Sequence, residues 1–206
     1  MSKWEYGGKY KLYNMNGLIE VGTGKLMVHD LYEPLPEFMK EADCIFIDPP
    51  CSLGNLNTFY TKADRDDYKY DYLPFLIRLF ENIDEINPKY LYIETFKSNK
   101  EMVIKECRKR YKYVYVDEST YYHNKDRHCW IIRCSNNSEV PGPNTLIDEE
   151  DYIKWICKNV DYECIADLCM GQGLVGYHSF LNNKKFVGTE INKKRLAVLV
   201  DKITKA

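Results

Sequence analysis

Apolar residues fall in short runs that stop abruptly on an acid or a proline. Residues 43–50 read Asp-Cys-Ile-Phe-Ile-Asp-Pro-Pro, with Cys51 next. A run of this length bounded by a breaker predicts a buried strand. Two prolines then force the chain out of the sheet. Asp48 is therefore expected at the carboxyl end of a strand, the edge where open α/β sheets bind ligands. Further runs predict strands over Lys25–His29 (with Asp30 at its end), Tyr90–Thr95 (with Glu94 near its end), Cys164–Leu168, and Lys185–Thr189 ending on Glu190. Leu73, Leu76, Ile77, Phe80 and Ile83 recur at helical spacing and predict a helix over Tyr72–Ile86. Helices are also expected over Leu35–Glu41, Lys97–Arg110, Asp148–Asn159, Leu174–Leu181 and Asn192–Lys205. Tyr113–Val116 and Cys129–Cys134 predict an antiparallel pair joined by Ser119–His128. Residues 51–70 carry few apolar groups and much charge, and read as a long loop.

Strands alternating with helices predict an α/β protein with a doubly wound, mostly parallel sheet, and the pair near 113–134 adds an antiparallel edge strand. Residues 135–144 are rich in Ser, Asn, Pro and Gly, but each half beside them is too small to stand alone. One domain over residues 1–206 is expected, with residues 1–24 as an N-terminal arm. In that arm Trp4, Tyr6, Tyr10 and Tyr13 alternate with lysines. They fit either a segment packed on the domain or a nucleic-acid stripe.

Composition narrows the classes. The chain has 206 residues, 45% of them hydrophobic, which fits a soluble globular domain. No apolar stretch reaches bilayer-spanning length, and the first residues lack a signal-like apolar core. A cytoplasmic protein is expected. Eight cysteines form no Cys-x-x-Cys pair and the four histidines do not cluster, so no metal site is expected. A net charge of −2 argues against purely charge-driven nucleic-acid binding, though not against a local basic groove.

A second constellation follows. Asp167-Leu-Cys-Met-Gly-Gln-Gly lies between a strand and a helix, and Glu190 comes seventeen residues past Gly173. Glycines there allow a tight turn and close approach of a ligand. An acid at that distance can accept hydrogen bonds from ribose hydroxyls. The alternative is a plain turn plus a surface acid.

These residues carry a resemblance. Asp48-Pro-Pro-Cys51 resembles the Asp-Pro-Pro-aromatic motif of amino methyltransferases. Asp167 to Gly173 resembles their cofactor glycine loop, and Thr189-Glu-Ile-Asn192 their acidic ribose-binding strand end. The catalytic motif precedes the cofactor loop, an order that looks like the β group of DNA amino (adenine-N6/cytosine-N4) methyltransferases. The resemblance covers residues 25 to 204. It implies a Rossmann-like class I methyltransferase fold, S-adenosyl-L-methionine as cofactor, and transfer of its methyl group to adenine N6 in DNA. Asp48, Pro49, Pro50 and Cys51 would form the catalytic turn, with Asp48 and the Pro49 carbonyl accepting the amino protons. Asp167, Cys169, Gly171, Gly173, Glu190 and Asn192 would hold the cofactor. Asp30 would either contact its adenine or cap the next segment.

Position 51 departs from the family, which places an aromatic there to stack on the extruded base. Either Phe59 or Tyr60 substitutes, or the substrate differs, or the chain is an inactive nucleic-acid-binding relative. Tyr121, Tyr122, His123, Lys125 and Arg127 crowd one hairpin tip; they suit base stacking and phosphate contact, or form a plain exposed hairpin. Pro49-Pro-Cys-Ser also resembles the nucleophile turn of cytosine carbon-5 methyltransferases, with Glu94 as the ring-protonating acid. An acid at 48 opposes the thiolate this would need. No room remains for a separate target-recognition region, so residues 51–70 and 119–128, or a partner such as a second copy in a homodimer, must supply those contacts.

Overall fold

The computed structural model describes residues 3–65 and 71–206; part of the expected 51–70 loop, residues 66–70, lies outside this range. Among the described residues, eight strands build one sheet: β1 (Leu18–Val21), β2 (Gly24–Val28), β3 (Cys44–Ile47), β4 (Tyr90–Thr95), β5 (Tyr113–Tyr121), β6 (Asn124–Ser135), β7 (Cys164–Asp167) and β8 (Lys185–Glu190). Six α-helices accompany them there: α1 (Leu53–Lys62), α2 (Tyr72–Ile86), α3 (Lys100–Arg110), α4 (Glu149–Asn159), α5 (Leu174–Leu181) and α6 (Lys193–Thr204). The strand order is β1-β2-β8-β7-β3-β4-β6-β5. The five strands from β2 to β4 in that order run parallel. Antiparallel partners flank them: β1 on one side, β6 and β5 on the other. This is the expected doubly wound α/β fold.

Every residue of β3, β4 and β7 is buried. Central strands covered on both faces need apolar side chains at every position, which is why they read as unbroken runs. Alternate residues serve opposite layers. Ile45, Ile47, Leu91 and Ile93 join Leu76, Leu79 and Phe80 of α2 and Val103 of α3 in one core cluster. Cys44, Phe46, Tyr90 and Tyr92 join Tyr152 and Ile156 of α4 and Leu199 of α6 in the other.

The main correction concerns residues 51–65. They are not a loop: α1 occupies Leu53–Lys62. The Ser52 hydroxyl accepts the Asn55 N–H at 3.2 Å and caps its first turn. Leu56 and Tyr60, one turn apart, bury their side chains in the core. Two such residues, at about 1.5–3 kcal/mol each, suffice to dock a ten-residue helix. The expected helix at Leu35–Glu41 is a short 3₁₀ turn over Glu37–Glu41.

The β5–β6 hairpin is longer than expected. Its turn residues Tyr122 and His123 have φ of 55° and 53°, the two positive values that a tight two-residue hairpin turn requires. Two carboxylates at the start of α4 hold this turn. Glu149 accepts the Tyr122 N–H at 3.0 Å, and Asp148 the His123 N–H at 2.7 Å. A 3₁₀ segment over Lys3–Lys11 packs against α6. Lys9 and Tyr13 both bond Asp201, at 2.6 and 3.0 Å. Within the expected arm, β1 pairs with β2 and belongs to the sheet. Among the described residues, no helix is long and apolar enough to cross a membrane.

Candidate active site

Chain direction reverses between β7 and β3. From β7 the chain proceeds through α5 to β8 on one side; from β3 it proceeds through α1 and α2 to β4 on the other. The crevice outside such a switch point is where α/β sheets bind ligands. Asp167 ends β7 and Asp48 follows β3, so the two acids stand side by side at that crevice. A cavity of about 770 Å³ opens there. Asp48, Pro49, Pro50, Cys51, Asp167, Cys169, Gly171, Gly173 and Glu190 all line it.

The glycine bend is shaped by conformation and by close contact. Gly171 and Gly173 have φ of +57° and +80°, a region that disfavours other residues. A Cβ on Gly173 would stand 2.5 Å from Leu199. The bend is pinned to the next strand: Gly171 N–H donates to Glu190 Oε2 at 2.6 Å, and Asn192 N–H to Oε1 at 3.0 Å. Asp167 accepts the Cys169 N–H at 2.9 Å.

The electrostatics are unusual for carboxylates. Burial pushes Asp167 up to about 8, aided by the nearby charges of Asp48 and Glu190. Asp48 is exposed to the cavity, yet the protein around it pushes its carboxyl up to about 7, with Arg195 pulling the other way. Burial raises Glu190 as well, against the pull of Arg195. Burial and the Asp48 charge raise the Cys51 thiol, which donates to Asn55 Oδ1 at 2.8 Å. Perturbed acids gathered in a cleft mark a functional site. Among the described residues, no cluster of His, Cys, Asp or Glu could hold a metal ion.

Other expected site residues are placed differently. Asp30 does not line the cavity. It is buried and accepts the Tyr60 hydroxyl at 2.7 Å and Arg65 at 3.0 Å, so it anchors the end of α1. Asn192 is also outside the cavity lining. It caps α6 through the Lys194 N–H and donates to the Lys62 carbonyl, tying α6 to α1. Tyr60 lines the wall, but its hydroxyl serves Asp30. Phe59 lines the cavity and stacks against the Arg195 guanidinium at 4.8 Å. Tyr122 and Arg127 stand exposed at the rim, whereas Lys125 lies on the exposed hairpin away from the lining.

Arg195, Phe96 and Glu149 escaped the sequence, whereas Tyr121 was among the hairpin-tip residues expected to suit base stacking. Arg195 lies 3.9 Å from Glu190, yet a basic run opening a helix reads as a solvated face. Phe96 and Tyr121 meet edge to face at 4.9 Å and line the cavity. The Asp48 charge acts on Tyr121, which places this aromatic pair near the acid. Glu149, pushed up to about 7 by burial, also faces the cavity. Its acidic helix start was legible, but its position was not.

No protein-family model and no curated protein matches this sequence. Solved structures do match. The chain is similar to M1.HpyAVI, with 12% identity and a TM-score of 0.60, over 87% of this chain and 98% of that one. It is similar to TTHA0409 of Thermus thermophilus, assigned as a DNA modification methylase and solved with S-adenosyl-L-methionine. That match has 11% identity and a TM-score of 0.62, over 87% and 93% of the two chains. PvuII DNA methyltransferase, cytosine-N4-specific, matches at 9% identity and a TM-score of 0.57, over 90% and 91%. At such identities the likeness is one of fold.

Proposed function

We propose that this chain is an S-adenosyl-L-methionine-dependent DNA methyltransferase that methylates the N6 amino group of adenine. One observation carries the proposal: the proline-braced acid and the glycine bend open on the same cavity, at the switch point of the sheet. The fold neighbours add support, since they include a DNA methyltransferase and structures solved with the cofactor. A volume near 770 Å³ lies in the upper part of the range of small-molecule pockets, about 300–1,000 Å³, and suits a cofactor beside a base.

The residues present fit the cofactor. Left-handed backbone at Gly171 and Gly173, packed against Arg195 and Leu199, keeps the bend tight beside the cavity, and Asp167 and Glu190 offer carboxyl oxygens to hydroxyl and amino donors. Arg195, stacked on Phe59 beside Glu190, closes that end of the cavity. The bound cofactor would supply an electrophilic methyl group. The protein's task is then to hold an amine in line with it. Asp48 and the Pro49 carbonyl would accept the amino protons, turning the nitrogen lone pair toward the methyl. A carboxyl near 7 is well matched to take up the proton released at neutral pH. A base in duplex DNA must be extruded to reach this depth. Phe96 and Tyr121 would replace the stacking aromatic that position 51 lacks.

Carbon-5 transfer through Cys51 is the weaker alternative. Its thiol is raised by burial and by Asp48, away from the thiolate a nucleophile needs. Calorimetry with S-adenosyl-L-methionine, followed by tritium transfer to DNA and digestion to nucleosides, tests the proposal. Labelled N6-methyladenine is expected. Cofactor binding without transfer to any nucleic acid would replace the proposal with a binding module, and labelled 5-methylcytosine would replace it with the Cys51 route.

A further inference from the structure

Glu94 is a buried acid to which amino-group transfer gives no task so far. It lies near the end of β4, is 1% exposed and lines the cavity. Its Oε1 is buried without a hydrogen-bond partner. A buried oxygen left this way is destabilising unless a ligand or water completes it. Register places Glu94 beside Asp48: Ile47 pairs with Ile93, and the next residue on each strand is the acid. The groups acting on Glu94 are Asp48 from β3, Cys129 from β6, and Asp148 and Glu149 at the start of α4. Burial, then the charges of Asp48 and Glu149, raise its pKa well above the ordinary carboxylate range. Burial beside two other acids favours the neutral form of Glu94, which can donate a hydrogen bond into the cavity.

We infer that Glu94 reads the target base, donating a hydrogen bond to the ring nitrogen next to the amino group that Asp48 holds. The inference rests on the methyltransferase proposal and deepens it. Adenine presents an amino donor at N6 beside an acceptor at N1; cytosine presents the same pair at N4 and N3. Thymine and uracil carry an N–H at the equivalent ring position, so two donors would meet and the base would be rejected. The substrate class is thus bases with an amine beside an unprotonated ring nitrogen. The proton stays on Glu94, which positions the base and forms no covalent bond.

The test pairs protein variants with a modified base. Oligonucleotides carrying 1-deazaadenine keep the amine but lack the ring acceptor. Wild-type kcat/KM is expected to fall about tenfold or more on this substrate, as for loss of one buried hydrogen bond. Glu94→Gln keeps a neutral N–H donor and should retain adenine activity within about threefold. Glu94→Leu should lose about tenfold on adenine and show no further loss on 1-deazaadenine. An equal 1-deazaadenine penalty in wild type and Glu94→Leu overturns the inference. Infrared spectroscopy gives a second readout that needs no turnover: a carboxylic C=O band present in wild type and absent from Glu94→Gln. If that band is missing while methyl transfer proceeds, the inference fails and the methyltransferase proposal stands. If wild type methylates no amino base, both fail.

Discussion

Replacing Asp167 by asparagine is expected to stabilise the ligand-free protein while weakening it as a binder. Asp167 is 5% exposed, and its folded-state carboxyl sits near 8 rather than at the ordinary 3.8. Between those two values the unfolded chain releases a proton that the folded protein keeps. Stability therefore falls as pH rises from about 4, and levels off above about 8. At about 1.4 kcal/mol per pH unit, the window has an upper bound of about 6 kcal/mol. Asparagine carries no such burden and can still accept the Cys169 N–H through its carbonyl oxygen. If half the bound is realised, a gain of about 3 kcal/mol raises Tm by about 6–12 °C for a chain of this size. The assay is thermal and urea melting of both proteins at pH 4, 6 and 8.5 without ligand, followed by calorimetry with S-adenosyl-L-methionine. The two melts should coincide near pH 4 and diverge as pH rises, with the variant ahead, while its cofactor affinity drops at least tenfold. A difference independent of pH, or a wild type more stable at pH 8.5, refutes the reasoning that this acid is held at the expense of the fold.

Three further outcomes are expected. Asp48→Asn should cut methyl transfer by about 10- to 150-fold, the loss of a charge-assisted hydrogen bond of about 1.5–3 kcal/mol, with cofactor affinity nearly unchanged by calorimetry. Wild-type transfer should also rise with pH through about 7, as the Asp48 carboxyl ionises, in a pH–rate profile. Tyr121→Ala should weaken binding of single-stranded DNA by about 1–3 kcal/mol in a fluorescence titration, the stacking contribution of one aromatic, while cofactor affinity holds. Gly173→Ala forces a side chain into left-handed backbone 2.5 Å from Leu199; at about 1–2 kcal/mol for the backbone and 1–3 for the contact, it should lower Tm by several degrees in a thermal melt.

The central layer was legible because its physics is local. Tyr90–Thr95, Tyr72–Ile86 and Leu174–Leu181 are expected with the observed bounds, since buried strands and amphipathic helices write their periods directly into the chain. The switch-point acids were legible for the same reason: each ends a strand. What failed depended on distant partners. Helix α1 buries only Leu56 and Tyr60, so its apolar content falls below what a periodic pattern can show. Its cap, Ser52, was a visible sign that the charged composition overrode. Asp30 is expected either at the cofactor or as a cap of the next segment; its carboxylate accepts the Tyr32 N–H at 3.1 Å and is shared with Tyr60 and Arg65. Arg195 joins the site through folded contacts, approaching Glu190 and Phe59 and pulling on Asp48.

The β1–β2 hairpin has a temporal consequence. Apart from β1, the partner of β2 in the sheet is β8, with Gly24 opposite Phe186 and Val28 opposite Glu190. During translation the hairpin leaves the ribosome long before that partner exists. The nascent chain must carry an unsatisfied β2 edge through most of its synthesis, a hazard for pairing with neighbouring chains. Ring closure between such remote segments is also a slow step. Expression yield should therefore respond to holdase chaperones more strongly than the melting temperature of the finished protein would suggest.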